Sequence, residues 1–439
     1  MTNQKVDFEY VFSGTNMMNL LPFKKKDNHT QEYNDLKMKV ITDGVLMIKK
    51  ECAEMFNEFN VKTSILYNAY VEPKKGDGYN NYNNVGFDDL YADSGGLQVV
   101  TQGSELTEEL KLKIYEQQKN AKYAFCFDEI PVENKSGVTA LAGGGRANVS
   151  MKQFDYSRFK ECAERTGVNI NNQLNAFEGT NTQGFYIVQG NTYQDMVDWV
   201  RWGGKKIHNL DYLAGIAPAD TCMGNGELES CDMIMASRII YDEFENINKR
   251  MHLLGIGAPT RMLPVIQLMK SGFLENVNIS FDSSSNAMAM MNGNFKNDGI
   301  SAKNPKDIEK SIESFIVFFK PMFKEYIGEF DNIELRDYIV SKLRFFTKIE
   351  DDAFSEKPHF VPITGSIVPL YCAWLNIGFF KQCKNMISDQ KLSQTAIGLL
   401  SEVRSPEDYI HWRTQFKNHI KSARMYRKRD VDLSDFFGE

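Results

Sequence analysis

The sequence predicts an α/β fold, a (β/α)8 TIM-type barrel with insertions that is followed by a helical C-terminal region. Between residues 8 and 282 the 439-residue chain contains eight short apolar runs, and most of these runs end in small or polar residues. Amphipathic stretches lie between the runs, and helical periodicity alone remains beyond about residue 300. Strands that alternate with helices form right-handed βαβ units and a parallel sheet. Eight such units predict a closed barrel.

The predicted strands are short, and several are too continuously apolar for a half-exposed sheet. In chain order they are Phe8–Phe12, Thr63–Val71, Asp89–Asp93, Tyr123–Asp128, Phe185–Gln189, Tyr212–Ile216, Met251–Ile256 and Val277–Asp282. The predicted helices between them include Leu106–Asn120, Gln153–Thr166, Thr192–Gly203, Cys231–Asn246 and Pro259–Lys270. Residues 14–61 and 132–180 interrupt the alternation, and we interpret them as long insertions.

Residues 1–298 are therefore predicted to form the barrel, and residues 299–439 a helical region that packs on the barrel or extends from it. Helical periodicity in this second region covers Asp307–Ile327, Ile333–Phe346 and Ile367–Met386. A charged helix is predicted near residues 407–429. Its basic residues recur every three or four positions and would lie along one side: Arg413, Lys417, Lys421, Arg424 and Lys428. Such a basic stripe is typical of a solvated helix face or of a surface that follows phosphates.

The composition limits the class of protein and its compartment. A formal net charge of −7 and a pI near 5.6 are not those of a simple nucleic-acid binder, so nucleic-acid binding would depend on local patches. No run approaches about 18 apolar residues, so we expect no membrane span. The first residues lack a secretory apolar segment, and none of the seven cysteines forms a Cys-x-x-Cys pair. These features predict a soluble cytoplasmic protein.

Polar residues and glycines lie at the carboxyl ends of the predicted strands, where (β/α)8 barrels build their active sites. In chain order they include Asp93, Ser94, Asp128, Gln189, Gly190, Gly215 and Asp282. Each alone fits a structural role, because Asp128 could cap a strand end and Asp282 could be a helix N-cap. Together they predict a pocket for a polar, planar, hydrogen-bonding ligand, without a histidine cluster or the spacing of metal ligands.

The order and the residues of these motifs resemble those of the tRNA-guanine transglycosylase superfamily. The similarity extends from about residue 60 to 295 and includes the segments Tyr91–Gln98 (YADSGGLQ) and Phe281–Asn286 (FDSSSN). The resemblance implies a (β/α)8 barrel that exchanges guanine in a nucleic acid for a free 7-deazaguanine base. The second segment is closer to the archaeal form, which implies the nitrile-bearing base preQ0. The same archaeal-type branch resembles the DNA-guanine transglycosylases of DNA-modification systems. Many of these enzymes are phage-encoded and hence active in the host cytoplasm.

The resemblance implies roles for two carboxylates in catalysis. Asp282 matches the nucleophile, which attacks C1′ of the target nucleotide, displaces guanine and forms a covalent glycosyl-enzyme. Asp93 matches a general acid/base that acts near the reacting base and sugar. Two carboxylates with distinct roles are what a retaining displacement at an anomeric carbon requires.

Further positions match residues that bind the base. Asp128 matches the acceptor of hydrogen bonds from N1 and the 2-amino group of guanine. The Gln189 side chain and the Gly215 backbone N–H match the donors to O6, and Ser94 matches a residue that supports the base edge. Gly190 follows Gln189 and belongs to the same predicted base-binding turn. A deep polar pocket fits a base that has left its stack.

The chain departs from the tRNA enzymes at three points. Leu97 replaces an aromatic residue that stacks on the base, and Leu254 replaces a residue on the opposite face that is commonly methionine. The Cys-x-Cys-x-x-Cys and later histidine of the structural zinc site are not present, and the spacing of His359, Cys372 and Cys383 matches no common zinc pattern. We therefore expect no zinc and no other cofactor.

These departures favour DNA over tRNA as the polymer, and the resemblance implies preQ0, or a similar free base, as the second substrate. An archaeal-type tRNA-guanine transglycosylase is the nearest alternative, since only the polymer differs. A non-catalytic nucleic-acid-binding subunit is a further alternative, but Asp93 and Asp282 would then have no purpose. A retaining glycosidase would also use two carboxylates, but Asp128 and Gln189 would then have no clear role.

Overall fold

The computed structural model describes most of the barrel and much of the C-terminal region. The described residues are 5–13, 30–70, 85–95, 107–129, 131, 156–190, 192–219, 233–240, 244, 250–274, 277–283, 285–286, 289, 295–298, 300–302, 304–346, 358–390, 392 and 397–415.

Eight parallel strands form a closed barrel in the order in which they occur in the chain. They are β1 (Asp7–Ser13), β2 (Asn60–Asn68), β3 (Leu90–Asp93), β4 (Tyr123–Phe125), β5 (Gln183–Val188), β6 (Leu213–Pro218), β7 (Arg250–Leu253) and β8 (Asn278–Ser283). Strand β1 pairs with both β2 and β8, which closes the barrel. The predicted fold class is therefore confirmed.

Helices follow the strands and cover the outside of the barrel. They are α1 (Gln31–Met55), α2 (Glu108–Gln118), α3 (Tyr156–Ala176), α4 (Tyr193–Gly203), α5 (233–240) and α6 (Pro259–Ser271). Two of them lie in segments that we interpreted as insertions. Helix α1 occupies much of 14–61, and α3 occupies the end of 132–180. In α1 the buried residues recur at helical spacing, as Val40, Ile41, Val45, Ile48 and Cys52, so this segment belongs to the alternation.

The C-terminal region completes the outer layer of the barrel. After a two-stranded hairpin, β9 (Lys296–Asn297) and β10 (Ile300–Ser301), it forms α7 (Pro305–Ile327), α8 (Asn332–Phe346), α9 (Val361–Thr364), α10 (Ile367–Ser388) and α11 (406–415). Helix α10 packs against α1 and α6, the helices that follow β1 and β7. Its residues Phe379 and Phe380 contact Tyr10 of β1, with ring centroids 5.6 and 6.0 Å away. Helix α10 thus occupies the position between the last and first strands, where a (β/α)8 barrel has its eighth helix.

The amino-terminal end of the barrel interior contains a network of ion pairs. Glu9, which is fully buried, pairs with Arg250 of β7. Asp7 accepts from Arg250 at 3.0 Å and from Lys62 of β2 at 2.7 Å. The Tyr91 hydroxyl donates to Glu9 at 3.0 Å. Buried charges require such partners, because an unpaired buried ion is costly.

Among the helices in the described part of the chain, none is both long enough and apolar enough to cross a membrane.

Candidate active site

Three aspartates lie at the carboxyl-terminal end of the barrel, and each follows a different strand. Asp93 is the last residue of β3, Asp128 follows β4, and Asp282 is the penultimate residue of β8. Burial raises the pKa of Asp93 to about 6, and the charges of Asp282 and Asp128 raise it further against opposing backbone hydrogen bonds. Carboxylates that influence one another in this way share one space. The structure therefore brings these three predicted site residues together.

Asp93 is held by neutral donors. The side-chain amide of Asn68, its partner in the β2–β3 register, donates to Oδ2 at 3.2 Å. The Asn68 oxygen accepts from the backbone N–H of Tyr70 at 3.0 Å, which fixes the orientation of the amide. The backbone N–H of Gly95 also bonds to Asp93. Gly95 has φ 77°, and a Cβ there would lie 2.3 Å from the Cβ of Tyr70, so the turn requires glycine. A carboxyl with a pKa near 6 can exchange protons near neutral pH.

Asp128 and Gln189 form a hydrogen-bonded pair at the ends of neighbouring strands. The Gln189 side chain is buried and donates from Nε2 to Oδ2 of Asp128. Burial raises the pKa of Asp128 to about 6, and the hydrogen bond from Gln189 opposes this rise. Glycine at position 190 allows the first turn of α4 to pack against the backbone at this position, because a Cβ on Gly190 would lie 2.6 Å from Cγ of Met196. The pair presents an acceptor and an amide side by side.

Asp282 is oriented by two groups that both contact the same oxygen. The backbone N–H of Gly255 donates to Oδ1 at 2.9 Å, and Nε2 of His252 lies 3.4 Å from Oδ1. Gly255 has φ 74°, a conformation that favours glycine. Among the residues that the structure describes, none donates to Oδ2. Within the described part of the chain, Oδ2 is therefore not occupied by a hydrogen bond.

His252 was not among the residues predicted from the sequence. It is fully buried in the barrel interior, among the rings of Tyr91, Phe125 and Phe185 at centroid distances of 5.6, 4.6 and 5.8 Å. Its Nδ1 lies 2.9 Å from Oγ of Ser280. The only signal in the sequence is a single histidine within the apolar segment that forms β7, next to the glycine-rich turn. A single histidine of this kind does not by itself distinguish a core residue from a site residue.

Two other predicted residues lie at this end of the barrel in supporting positions. Ser94 is buried, and its hydroxyl donates to the carbonyl of Cys126 at 3.0 Å, which ties the end of β3 to β4. Leu254 is partly buried beyond β7 and bridges to Ala219 beyond β6. Leu254 therefore lies at the mouth of the barrel, next to Gly255 in the sequence.

Gly215 is not brought to this end of the barrel. The predicted strand ended near Ile216, whereas β6 continues to Pro218 and pairs Gly215 with Phe185. A Cβ on Gly215 would lie 1.9 Å from the carbonyl oxygen of Arg250, so glycine is needed for the close approach of β6 and β7. Gly215 thus lies beside the amino-terminal ion network, four residues before Ala219. This position does not match a donor to the O6 atom of a base at the carboxyl-terminal end.

Several predicted residues lie outside the described part of the chain. These are Leu97 and four residues of the basic stripe, Lys417, Lys421, Arg424 and Lys428. The fifth, Arg413, lies in α11. Tyr409 of the same helix stacks on Phe273, with ring centroids 6.2 Å apart. Phe273 lies between α6 and β8, so the start of this helix is at the amino-terminal end, opposite the three aspartates.

The described residues contain no group of three histidine, cysteine or acidic side chains that could hold a metal ion. Cys372 and Cys383 are both buried in α10, where 11 residues correspond to about 16 Å along the helix axis. Burial raises the pKa of Cys372 to about 12, and that of Cys383 also lies above its ordinary range. Their separation prevents these two thiols from binding one ion together.

No protein-family model matches this chain, and no curated protein matches it significantly. The site contains an oriented carboxylate, one oxygen of which has no donor among the described residues, and a second carboxyl whose pKa burial raises to about 6. A third carboxyl is paired with an amide. The first two can perform nucleophilic and acid/base chemistry, and the last pair can bind the hydrogen-bonding edge of a planar ligand.

Proposed function

We propose that this chain is a base-exchange transglycosylase, a pentosyltransferase that replaces guanine in DNA with a preQ0-type 7-deazaguanine base. The observation that supports this proposal most is the arrangement around Asp282. One oxygen is bound by Gly255 and His252, the other is free, and Asp93 shares the same space. A retaining displacement at an anomeric carbon needs this division of roles between two carboxyl groups.

The proposed reaction has two displacements. In the first, Oδ2 of Asp282 attacks C1′ of the target nucleotide, and the electron pair of the C1′–N9 bond leaves with guanine. Protonated Asp93 gives its proton to the departing base. In the second, the incoming 7-deazaguanine base attacks C1′ through its ring nitrogen, which loses its proton to Asp93, and the ester bond to Asp282 breaks. Both carboxyl groups return to their starting states, and the configuration at C1′ is retained.

The pair of Asp128 and Gln189 is proposed to select the base. Guanine and preQ0 both present N1–H and a 2-amino group, which are donors, beside the acceptor O6. The Asp128 carboxylate accepts from the donors and the Gln189 amide donates to O6, whereas adenine has no N1–H and offers a donor in place of O6. The existing hydrogen bond between the two side chains fixes their relative orientation before the base binds. Since Gly215 lies near the other end of the barrel, it has no role in this scheme.

DNA is proposed as the polymer because the features that distinguish tRNA enzymes are not recognisable in the sequence. The zinc motif is missing, and aliphatic Leu97 and Leu254 stand where the tRNA enzymes have an aromatic residue and commonly a methionine. A cytoplasmic location agrees with either polymer.

The decisive experiment follows the incorporation of radiolabelled preQ0 into duplex DNA, single-stranded DNA and unmodified tRNA, each incubated separately with the protein. We expect label in DNA and a covalent protein–DNA adduct on denaturing gels. Asp282→Asn serves as the matched control and should give neither. Label in tRNA alone would contradict the choice of polymer, and no label in any polymer would contradict the proposed function.

A further inference from the structure

His252 is fully buried next to the proposed nucleophile, although no role was assigned to it from the sequence. Its two ring nitrogens face different partners. Nε2 faces Oδ1 of Asp282 at 3.4 Å, and Nδ1 faces the hydroxyl of Ser280 at 2.9 Å. Ser280 is itself fully buried and lies on β8, two residues before Asp282. A single ring therefore connects two positions of the strand that bears the nucleophile.

The chemistry of the two partners determines which nitrogen carries the proton. An ionised carboxylate can only accept hydrogen bonds, so the nitrogen that faces Asp282 must carry hydrogen. Nδ1 of the neutral ring is then an acceptor, and the Ser280 hydroxyl is able to donate to it. A neutral imidazole with hydrogen on Nε2 satisfies both contacts. The opposite tautomer would place two lone pairs against each other at the Asp282 contact.

We propose that His252 is a positioning residue for the nucleophile, in the Nε2–H tautomer that the Asp282 carboxylate requires and that the Ser280 hydroxyl can accommodate. This inference rests on the proposed function for its kinetic consequence but not for its hydrogen bonding. Together with the N–H of Gly255, His252 occupies Oδ1 of Asp282 and directs Oδ2 toward the reacting carbon. Once Oδ2 has formed the ester bond, Oδ1 becomes the carbonyl oxygen and the same two donors still bind it. The pair of donors therefore orients the carboxylate before attack and binds its carbonyl oxygen afterwards.

The surroundings of His252 explain how the ring is held in this orientation. Tyr91, Phe125 and Phe185 pack around it within 5.8 Å, centroid to centroid. Their packing leaves the ring little freedom to rotate. Asp282 and Tyr91 are the titratable groups that face it, and the Tyr91 hydroxyl donates to Glu9 of the amino-terminal network. The aromatic layer thus lies between His252 and the charges at the other end of the barrel, and Tyr91 bonds to both Ser280 and Glu9.

The first test needs no substrate. Long-range ¹H–¹⁵N correlation spectra of histidine-labelled protein report the tautomer of each ring, and the signals missing from His252→Gln identify His252. We expect a protonated Nε2 and an unprotonated Nδ1. A protonated Nδ1 with an unprotonated Nε2 would overturn the inference, even if the protein proves to be an active transglycosylase. If no polymer is labelled but the expected tautomer is found, the proposed function fails and the hydrogen-bonding part of the inference stands.

The second test compares two amides of different length at position 252. The amide nitrogen of His252→Gln can approach the position of Nε2, whereas that of His252→Asn corresponds to Nδ1 and is too short to reach Asp282. We expect His252→Asn to lower kcat by about 10- to 100-fold, the usual effect of losing a hydrogen bond to a charged group. KM for DNA should change little, and His252→Gln should recover part of the loss. Equal activity of both variants and the wild type would contradict the positioning role.

Discussion

The two ends of the barrel both contain buried carboxyl groups, but they stabilise them in opposite ways. At the amino-terminal end, Arg250 and Lys62 pair with Asp7 and Glu9. Burial acts to raise the pKa of Asp7, but hydrogen bonds from Lys62 and Asn60 and the charge of Arg250 bring it below its ordinary value. At the carboxyl-terminal end, the pKa of Asp93 and that of Asp128 are raised to about 6. None of the three aspartates there pairs with a lysine or arginine of the described part of the chain.

This difference distinguishes the charged groups at the amino-terminal end, which stabilise the fold, from the carboxyl groups at the carboxyl-terminal end, which are proposed to react. Cations at the amino-terminal end keep Asp7 ionised, oppose the rise that burial causes in the pKa of Glu9, and join β1 to β2 and β7. Neutral donors at the carboxyl-terminal end orient the aspartates without removing their ability to take up a proton or attack an electrophile. Perturbed acidic groups that lack compensating charge cluster at functional sites. The comparison predicts that substitutions at one end should affect activity and that those at the other should affect stability.

The largest expected effect is the loss of activity in Asp282→Asn. Removal of the proposed nucleophile should lower base incorporation by at least about 10³-fold and abolish the covalent adduct. The matched control is Asp7→Asn, an equally conservative change of an aspartate at the other end of the barrel. It should reduce the free energy of unfolding and leave kcat of the folded protein unchanged. An adduct that survives in Asp282→Asn would show that another residue is the nucleophile.

The next largest effect should be the destabilisation caused by Glu9→Gln. This change removes one partner of a buried ion pair and leaves Arg250 less compensated, which typically costs about 3 kcal/mol of unfolding free energy. Urea unfolding of the wild type and the variant measures the difference. The double variant Glu9→Gln, Arg250→Met is the control, since removing both charges should recover much of the loss. If Glu9→Gln were as stable as the wild type, the ion network would not have the structural role assigned to it.

A smaller effect on activity is expected from Asp128→Asn. The asparagine replaces one acceptor oxygen with an NH2 group, a donor that cannot pair with the donor edge of guanine, so incorporation of preQ0 should fall by about 10- to 100-fold. Binding of the polymer should change little, because the phosphates supply most of its affinity. Glu129→Gln is the adjacent control, since Glu129 pairs with Arg165 at 3.3 Å and has no proposed contact with the base. Equal losses of base incorporation and polymer binding in Asp128→Asn would contradict a base-reading role.

The sequence was sufficient to predict the barrel because its strands are short apolar runs with clear polar boundaries. It was also sufficient to predict that Asp93, Asp128, Gln189 and Asp282 meet, since the carboxyl ends of parallel strands converge. The position of Gly215 could not be predicted, because a strand that extends two residues further moves it away from the mouth. The packing of α10 between α1 and α6 depends on contacts between residues far apart in sequence. His252 could not be recognised because its partners lie on other strands.

The stability of the protein should depend on pH through the raised pKa of Asp93. The folded-state pKa of about 6 exceeds the ordinary value of 3.8. Between these two values the folded protein binds more protons than the unfolded chain, so the contribution of Asp93 to stability falls as pH rises through this window. The asparagine in Asp93→Asn cannot ionise, so this variant does not lose stability as the pH rises. It should therefore be more stable than the wild type by about 1–3 kcal/mol above pH 7, and the difference should shrink toward pH 4.

Thermal unfolding of both proteins, from about pH 8 to well below the ordinary aspartate pKa of 3.8, measures this difference. Asp7→Asn is the control, and it should show the opposite dependence, because the pKa of Asp7 is lowered on folding. Its stability deficit should be present at neutral pH and should disappear as the pH falls through the folded-state pKa of Asp7. Opposite signs for the two variants would mean that the same residue type opposes folding at the reactive end of the barrel and supports it at the structural end. If the two variants showed the same sign, the division of the barrel into a reactive and a structural end would be wrong.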